Sequence, residues 1–171
     1  MSERQGAITF KGNPMTLVGK EVKAGDNAPD FRLVATDMSE KTLGDYKGKT
    51  VILNVVPSLD TPVCDRQTRR FNEEAGKMGD HTVVVTVSKD LPFAQKRWCA
   101  AAGVANVVTL SDYKHHTFGE QYGLLIKELG LLARAVLVID KQGKVQYVQL
   151  VKEVATEPNY DEVLQKAKAA G

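Results

Sequence analysis

The stretch Val51–Cys64, VILNVVPSLDTPVC, restricts the fold more than any other. It opens as an apolar run, the pattern of a strand buried on both faces of a sheet. Pro57 has no N–H to give to a ladder, so pairing ends there. Ser58-Leu59-Asp60 follows as a loop. Thr61-Pro62 then reads as a helix start, with a hydroxyl at the N-cap and proline at the first helical position. Cys64 falls in the first helical turn, where free backbone N–H groups and the positive end of the helix dipole favour a thiolate. A cysteine held there, at the carboxyl end of a buried strand, is either a nucleophile or a small buried hydrophobe. Its neighbours decide which.

The elements around this stretch follow from pattern. Ala7–Lys11 and Met15–Val18 flank Gly12-Asn13-Pro14 and predict an N-terminal hairpin covering a sheet end. Phe31–Ala35 is a short strand. Pro62 to about Gly79 is a helix with Val63, Phe71, Ala75 and Met78 as its apolar stripe, and Gln67 and Thr68 on the face of Cys64. Thr82–Val87 is a second buried strand, so strand, helix and strand form a right-handed crossover with parallel strands. A helix starting in Ser88–Pro92 and closed by Gly103 carries Leu91, Ala94, Trp98, Ala101 and Ala102 as its stripe, with Cys99 beside Trp98. Val107–Leu110 is a strand, His115–Tyr122 a helix with Asp112 as an alternative start, and Gly123–Leu132 a leucine-rich loop or broken turn. Ala133–Asp140 and Lys144–Val151 form a hairpin around Lys141-Gln142-Gly143. A last helix opens at Asn159 or Asp161, with Val163, Leu164 and Ala167 inward. This order describes a thioredoxin-like α/β fold: a central mixed β-sheet flanked by helices, with an N-terminal β-hairpin, as a single domain over residues 1–171.

Composition narrows the function. At 171 residues, 43% of them apolar, the chain can bury one full core. A net charge of +2 with no basic block argues against nucleic acid. No stretch is long and apolar enough for a bilayer. The start, MSERQGAITF, has no apolar leader pattern, so a cytoplasmic protein is expected. Two cysteines, 35 positions apart, are either inert thiols or a redox couple.

Arg134 completes the candidate site. If Ala135–Ile139 lies antiparallel beside Val51–Val56, Arg134 adjoins Pro57–Cys64, and its permanent charge favours a thiolate and offers donors to a substrate oxygen. A solvated arginine at a strand start is the commoner case, but this one lies between two apolar runs in LLARAVLVID. Thr61 caps the helix and presents its hydroxyl to Cys64. Pro57 and Pro62 end and begin elements, and also shield the sulfur from water. Cys99 lies about nine residues into its helix, roughly 13 Å along it at 1.5 Å per residue. A disulfide needs Cα atoms within about 7 Å. Closing Cys64 to Cys99 therefore requires local unwinding.

These residues resemble the peroxiredoxins. Pro57, Thr61 and Cys64 match a Pro-x-x-x-Thr-x-x-Cys motif, and VVPSLDTPVC with SKDLPFAQKRWC is similar to the thiol peroxidase subfamily, the atypical two-cysteine peroxiredoxins. The resemblance spans nearly the whole chain. It implies Cys64 as the peroxidatic cysteine and Cys99 as the resolving one, with Pro57, Thr61 and Arg134 completing a peroxide site. It further implies an intrachain Cys64–Cys99 disulfide, a homodimer, thioredoxin or a similar dithiol as reductant, and no metal or other cofactor. Gln67 stands where many peroxiredoxins carry glutamate, and its role is open at this stage. Three rival readings exist. A thiol–disulfide oxidoreductase would use a close Cys-x-x-Cys pair, which is absent. A redox-switched binding module would not consume peroxide catalytically. Metal binding at His115-His116 is disfavoured, because adjacent residues do not share a helix face.

Overall fold

The computed structural model describes residues 2–103 and 107–171. Seven strands form the main sheet, in the order β11 (Val145–Leu150), β10 (Ala135–Ile139), β5 (Thr50–Val55), β6 (Thr82–Ser88), β7 (Val107–Ser111), β3 (Arg32–Ala35) and β4 (Glu40–Thr42). The centre is parallel, with Val51 opposite Val83 on β6, and Val85 on β6 opposite Val108 on β7. The flanks are antiparallel: β10 pairs with β5, and Ala135 lies opposite Val55. The expected mixed sheet and the βαβ crossover are therefore present. A single 3₁₀ turn, Leu43–Tyr46, links β4 to β5.

Strand alternation divides the core in two. Val51, Leu53 and Val55 face one side, with Leu137 and Ile139 beside them. Ile52 faces the other, with Val136 and Val138. This two-sided burial is why β5 reads as a continuous apolar run. On the second face lie α1 (Pro62–Ala75) and α4 (Tyr160–Ala170), which contribute Phe71, and Val163, Leu164 and Ala167, respectively. Phe71 meets Tyr160 edge to face, with ring centroids 5.4 Å apart. Beside them α2 (Pro92–Ala102) packs against β7. Asn159 caps α4 through the Glu162 N–H, settling which of the two expected residues opens that helix.

The first face is covered by a smaller sheet of four strands, in the order β1 (Glu3–Phe10), β2 (Asn13–Val18), β8 (Leu125–Ile126) and β9 (Leu131–Leu132). The N-terminal hairpin is present, but it covers a sheet face: Ile8 and Leu17 belong to the same core as Val51 and Leu53. Gly123–Leu132 is correspondingly not a simple loop. Leu125 and Ile126 pair with the hairpin, Leu131 and Leu132 pair back onto them, and Leu124 and Leu132 are buried. Gly19 joins this sheet to α3 (Phe118–Gln121), and a Cβ there would stand 2.0 Å from the Glu120 carbonyl oxygen, so no larger residue fits. The expected helix His115–Tyr122 is shorter because the Asp112 carboxylate accepts from the N–H groups of Phe118 and Gly119, and His116 has a positive φ of 58°.

Candidate active site

The local chain path around Cys64 follows the sequence closely. The Val56 N–H donates to the Val87 carbonyl at 3.0 Å as the last bond of the pairing, and Pro57, which is buried, ends it. Ser58–Asp60 turns back on itself, with the Thr61 hydroxyl donating to the Ser58 carbonyl at 3.0 Å. Thr61 is extended, at φ −97° and ψ 146°, and its Oγ1 accepts from the Cys64 N–H at 3.3 Å. Thr61 is thus the N-cap of α1 and Pro62 its first residue. Cys64 is fully buried beside Val56 and Leu59.

Arg134 meets Cys64, because β10 starts where β5 ends. Arg134 is 2% exposed. Its Nη1 donates to the Cys64 Sγ at 3.1 Å and to Gln67 Oε1 at 2.8 Å, while Nε donates to the Val154 carbonyl at 2.7 Å. Of these partners only the sulfur can carry a full negative charge. Burying a guanidinium without a counter-charge is costly. The arrangement therefore sets a permanent positive charge against the Cys64 sulfur and against any oxygen bonded next to it.

Behind this pair lies a polar network whose residues did not appear in the expected stripe of α1. The buried residues of that helix are Cys64, Gln67, Thr68 and Phe71, whereas Val63 is only half-buried. Gln67 Nε2 donates to Asn54 Oδ1 on β5. Asn54 Nδ2 in turn donates to Thr86 Oγ1 at 3.1 Å and to Thr68 Oγ1 at 3.4 Å. Arg134 is thereby braced by residues from α1, β5 and β6. The available signal was Asn54, the one amide inside the run VILNVV. A buried amide demands partners, and Gln67 and Thr68, on the face of Cys64, supply them.

A second network joins the loop before Cys64 to the start of α2. The Asp90 carboxylate accepts from the Ser58 hydroxyl at 2.7 Å, the Leu59 N–H at 2.8 Å and the Ser88 hydroxyl at 2.7 Å. Asp90 was expected within the start of the α2 helix. Instead Leu91 is the N-cap, with no side-chain capping bond, because the aspartate faces the Cys64 loop. The expected apolar stripe of α2 is also displaced: Pro92 and Gln95 are its buried residues, and Leu91 is 53% exposed. Gly103 closes the helix in the left-handed conformation at φ 68°, as expected.

Cys99 lies on this helix, half-buried, with its Sγ 3.7 Å from Thr109 Oγ1 on β7. Both cysteines are free thiols. Burial pushes the Cys99 thiol up, with the Thr109 contact opposing in the other direction. Trp98 points elsewhere: it packs against the cluster of Val56, Leu59 and Cys64, and its Nε1 donates to Asp65 Oδ1 at 2.8 Å. The two histidines considered for metal are spent on other contacts, His115 at 2.7 Å from Glu40 and His116 at 3.3 Å from Lys89. Among the described residues no helix is long and apolar enough to cross a membrane.

Known proteins carry the same arrangement of chain. The Redoxin family model matches residues 23–164. A thiol peroxidase of Bacillus subtilis is 57% identical over 95% of this chain and 96% of its own. One from Halalkalibacterium halodurans is 57% identical over 96% of this chain and 98% of its own. Among solved structures, a peroxiredoxin-like protein from Aquifex aeolicus superposes with a TM-score of 0.91 at 48% identity, covering 98% of this chain and 99% of that one. With a buried cysteine at a helix start, a family model over most of its length and relatives above half identity, the chain belongs to the Redoxin family, as a thiol-dependent peroxidase of the peroxiredoxin type.

Proposed function

We propose that Cys64 is the peroxidatic cysteine and Cys99 the resolving one, in a cycle that reduces hydrogen peroxide and alkyl hydroperoxides for antioxidant defence. The observation that carries this reading is the buried Arg134 guanidinium donating to the Cys64 sulfur at 3.1 Å. The Cys64 thiolate attacks the terminal peroxide oxygen; the S–O bond forms as the O–O bond breaks. The leaving oxygen departs with the bonding pair and takes up a proton as water or alcohol. Arg134, first-turn N–H groups and the Thr61 hydroxyl, once it turns from the Ser58 carbonyl, stabilise the charge moving onto that oxygen. Pro57, buried at the end of β5, keeps water from the sulfur. The Cys99 thiol then displaces hydroxide from the Cys64 sulfenic acid. An S–S bond forms, an S–O bond breaks, and the thiol proton leaves with the hydroxide as water. An external dithiol returns both thiols by exchange.

The family supports a thioredoxin-type dithiol as the reductant and a homodimer as the working form, with the whole chain acting as one domain. Cytoplasmic placement fits a chain with only two cysteines, both free.

The test is NADPH consumption in a thioredoxin/thioredoxin-reductase coupled assay, with hydrogen peroxide and cumene hydroperoxide as substrates. Wild type turns over, Cys64→Ser does not, and Cys99→Ser gives a single-turnover burst. Peroxide left unconsumed by wild type would reject the reading and favour a redox-switched binding module.

A further inference from the structure

Adjacent residues on α2 face different ways. Consecutive helical side chains are about 100° apart. Cys99 accordingly turns to Thr109 on β7, while Trp98 turns to α1 and packs against the cluster that contains Cys64. The indole thus occupies the face of α2 that Cys99 would have to present to the sulfur of Cys64. It is also fastened there. Asp65, the residue after Cys64, accepts the indole N–H at 2.8 Å through one carboxylate oxygen and the Arg69 Nε at 2.9 Å through the other. Arg69 continues across the gap: its Nη1 donates to the Ala102 carbonyl at 3.1 Å, and its guanidinium lies 5.8 Å from the Trp98 ring centroid. One carboxylate and one guanidinium of α1 therefore hold the last turns of α2, on either side of Cys99, in the helical state.

We propose that Trp98, fastened by Asp65 and Arg69, is the gate between the two cysteines. The proposal rests on Cys64 and Cys99 being the peroxidatic and resolving pair. With the gate shut, Cys64 is screened from Cys99 and stays ordered to meet peroxide. Resolution begins when the Asp65–indole bond breaks and the turn carrying Trp98 and Cys99 unwinds. The Cys64 sulfenic acid then has two fates. Cys99 converts it to the disulfide with release of water. A second peroxide converts it to sulfinic acid: another S–O bond forms, the O–O bond breaks, and water or alcohol leaves. Asp65 and Arg69 are positioning residues that set the balance between these fates through Trp98.

The test compares wild type with Trp98→Phe, Asp65→Ala and Asp65→Asn as full chains. Two quantities are read: the rate of disulfide formation after one equivalent of hydrogen peroxide, by rapid alkylation and mass measurement, and the peroxide concentration that leaves half the Cys64 as sulfinic acid. Trp98→Phe and Asp65→Ala are each expected to speed disulfide formation at least about tenfold and to raise the half-inactivating concentration by the same factor, since Trp98→Phe deletes the charge-assisted hydrogen bond of the indole and Asp65→Ala deletes that bond together with the Arg69 pair. Asp65→Asn keeps an acceptor for the indole and stays within a few-fold of wild type. A merely structural contact would lower the melting temperature and leave the ratio of the two fates alone. Unchanged or slower disulfide formation in both Trp98→Phe and Asp65→Ala, with native circular dichroism, overturns the gate alone. Absence of any intrachain disulfide in peroxide-treated wild type overturns the gate together with the assignment of Cys99.

Discussion

Cys64 and Cys99 lie on neighbouring helices against one face of the same sheet, yet their surroundings differ in kind. Cys64 is fully buried, its backbone N–H is capped by Thr61, and its sulfur meets a guanidinium braced through Gln67, Asn54, Thr68 and Thr86. Cys99 is half-buried, and its sulfur has a long contact to one hydroxyl. The helices differ in the same sense. Four residues of α1 are buried against the sheet, whereas α2 buries two near its start and leaves Phe93 68% exposed. Few buried contacts make a segment easy to open locally. One cysteine is held in a prepared environment; the other is carried on a helix that buries little of itself.

Removing the preparation around Cys64 is the strongest way to break this contrast. Arg134→Met should slow the reaction with hydrogen peroxide by about 10²–10³, the usual cost of losing one preorganised donor to developing negative charge. The check is the second-order rate of Cys64 oxidation in Cys99→Ser, with and without the Arg134 change. A drop under threefold would mean that the guanidinium is structural only.

A smaller effect is expected one step behind the sulfur. Gln67→Leu leaves Asn54 Oδ1 and an Arg134 N–H without their partner in a dry interior, which costs about 1–3 kcal/mol of stability. Chemical denaturation measures that loss. The same variant should slow peroxide reduction by less than Arg134→Met, because it loosens the guanidinium without removing it. Equal losses would merge the two residues into one functional unit.

The smallest effect concerns Cys99. Burial pushes its thiol up, so less thiolate is present at neutral pH than on a free cysteine. In Cys64→Ser, iodoacetamide labelling of Cys99 should therefore be slower than that of a model thiol at pH 7. It should still be climbing as the pH passes the free-cysteine value of about 8.5. A labelling profile that levels off at or below that value would remove this half of the contrast.

Much of this was legible in the sequence, and what was not has a common cause. The β5–α1 junction, the βαβ crossover, the β10–β11 hairpin and α4 follow from local pattern and turn chemistry. So does the meeting of Arg134 with Cys64, once β10 is laid antiparallel to β5. The polar face of α1 did not follow, because Gln67 and Thr68 are buried only through partners on strands that precede and follow the helix. Nor did Asp90, whose position near a helix start suggests a cap but whose partners lie some thirty residues back. Two-residue strands such as β8 and β9 carry too little pattern to be seen without the hairpin they extend. The apolar stripe expected for α2 misled for the opposite reason: Leu91, read as its first member, faces outward.

The Asp90 network also fixes one end of the segment proposed to unwind. Its carboxylate ties the first residues of α2 to Ser58 and Leu59, a few positions before Cys64. In the proposed resolution step the far turns of the helix let go, and Cys99 swings on a leash of nine residues from a post planted beside Cys64. Such a leash reaches about 30 Å at most when fully drawn out. A thiol confined to so small a volume behaves as though present at roughly millimolar concentration, whatever the amount of protein in solution. Collisions between the sulfurs are then a property of one molecule and do not thin out on dilution. Cutting the Asp90 tie would change the reach of Cys99 without touching either sulfur.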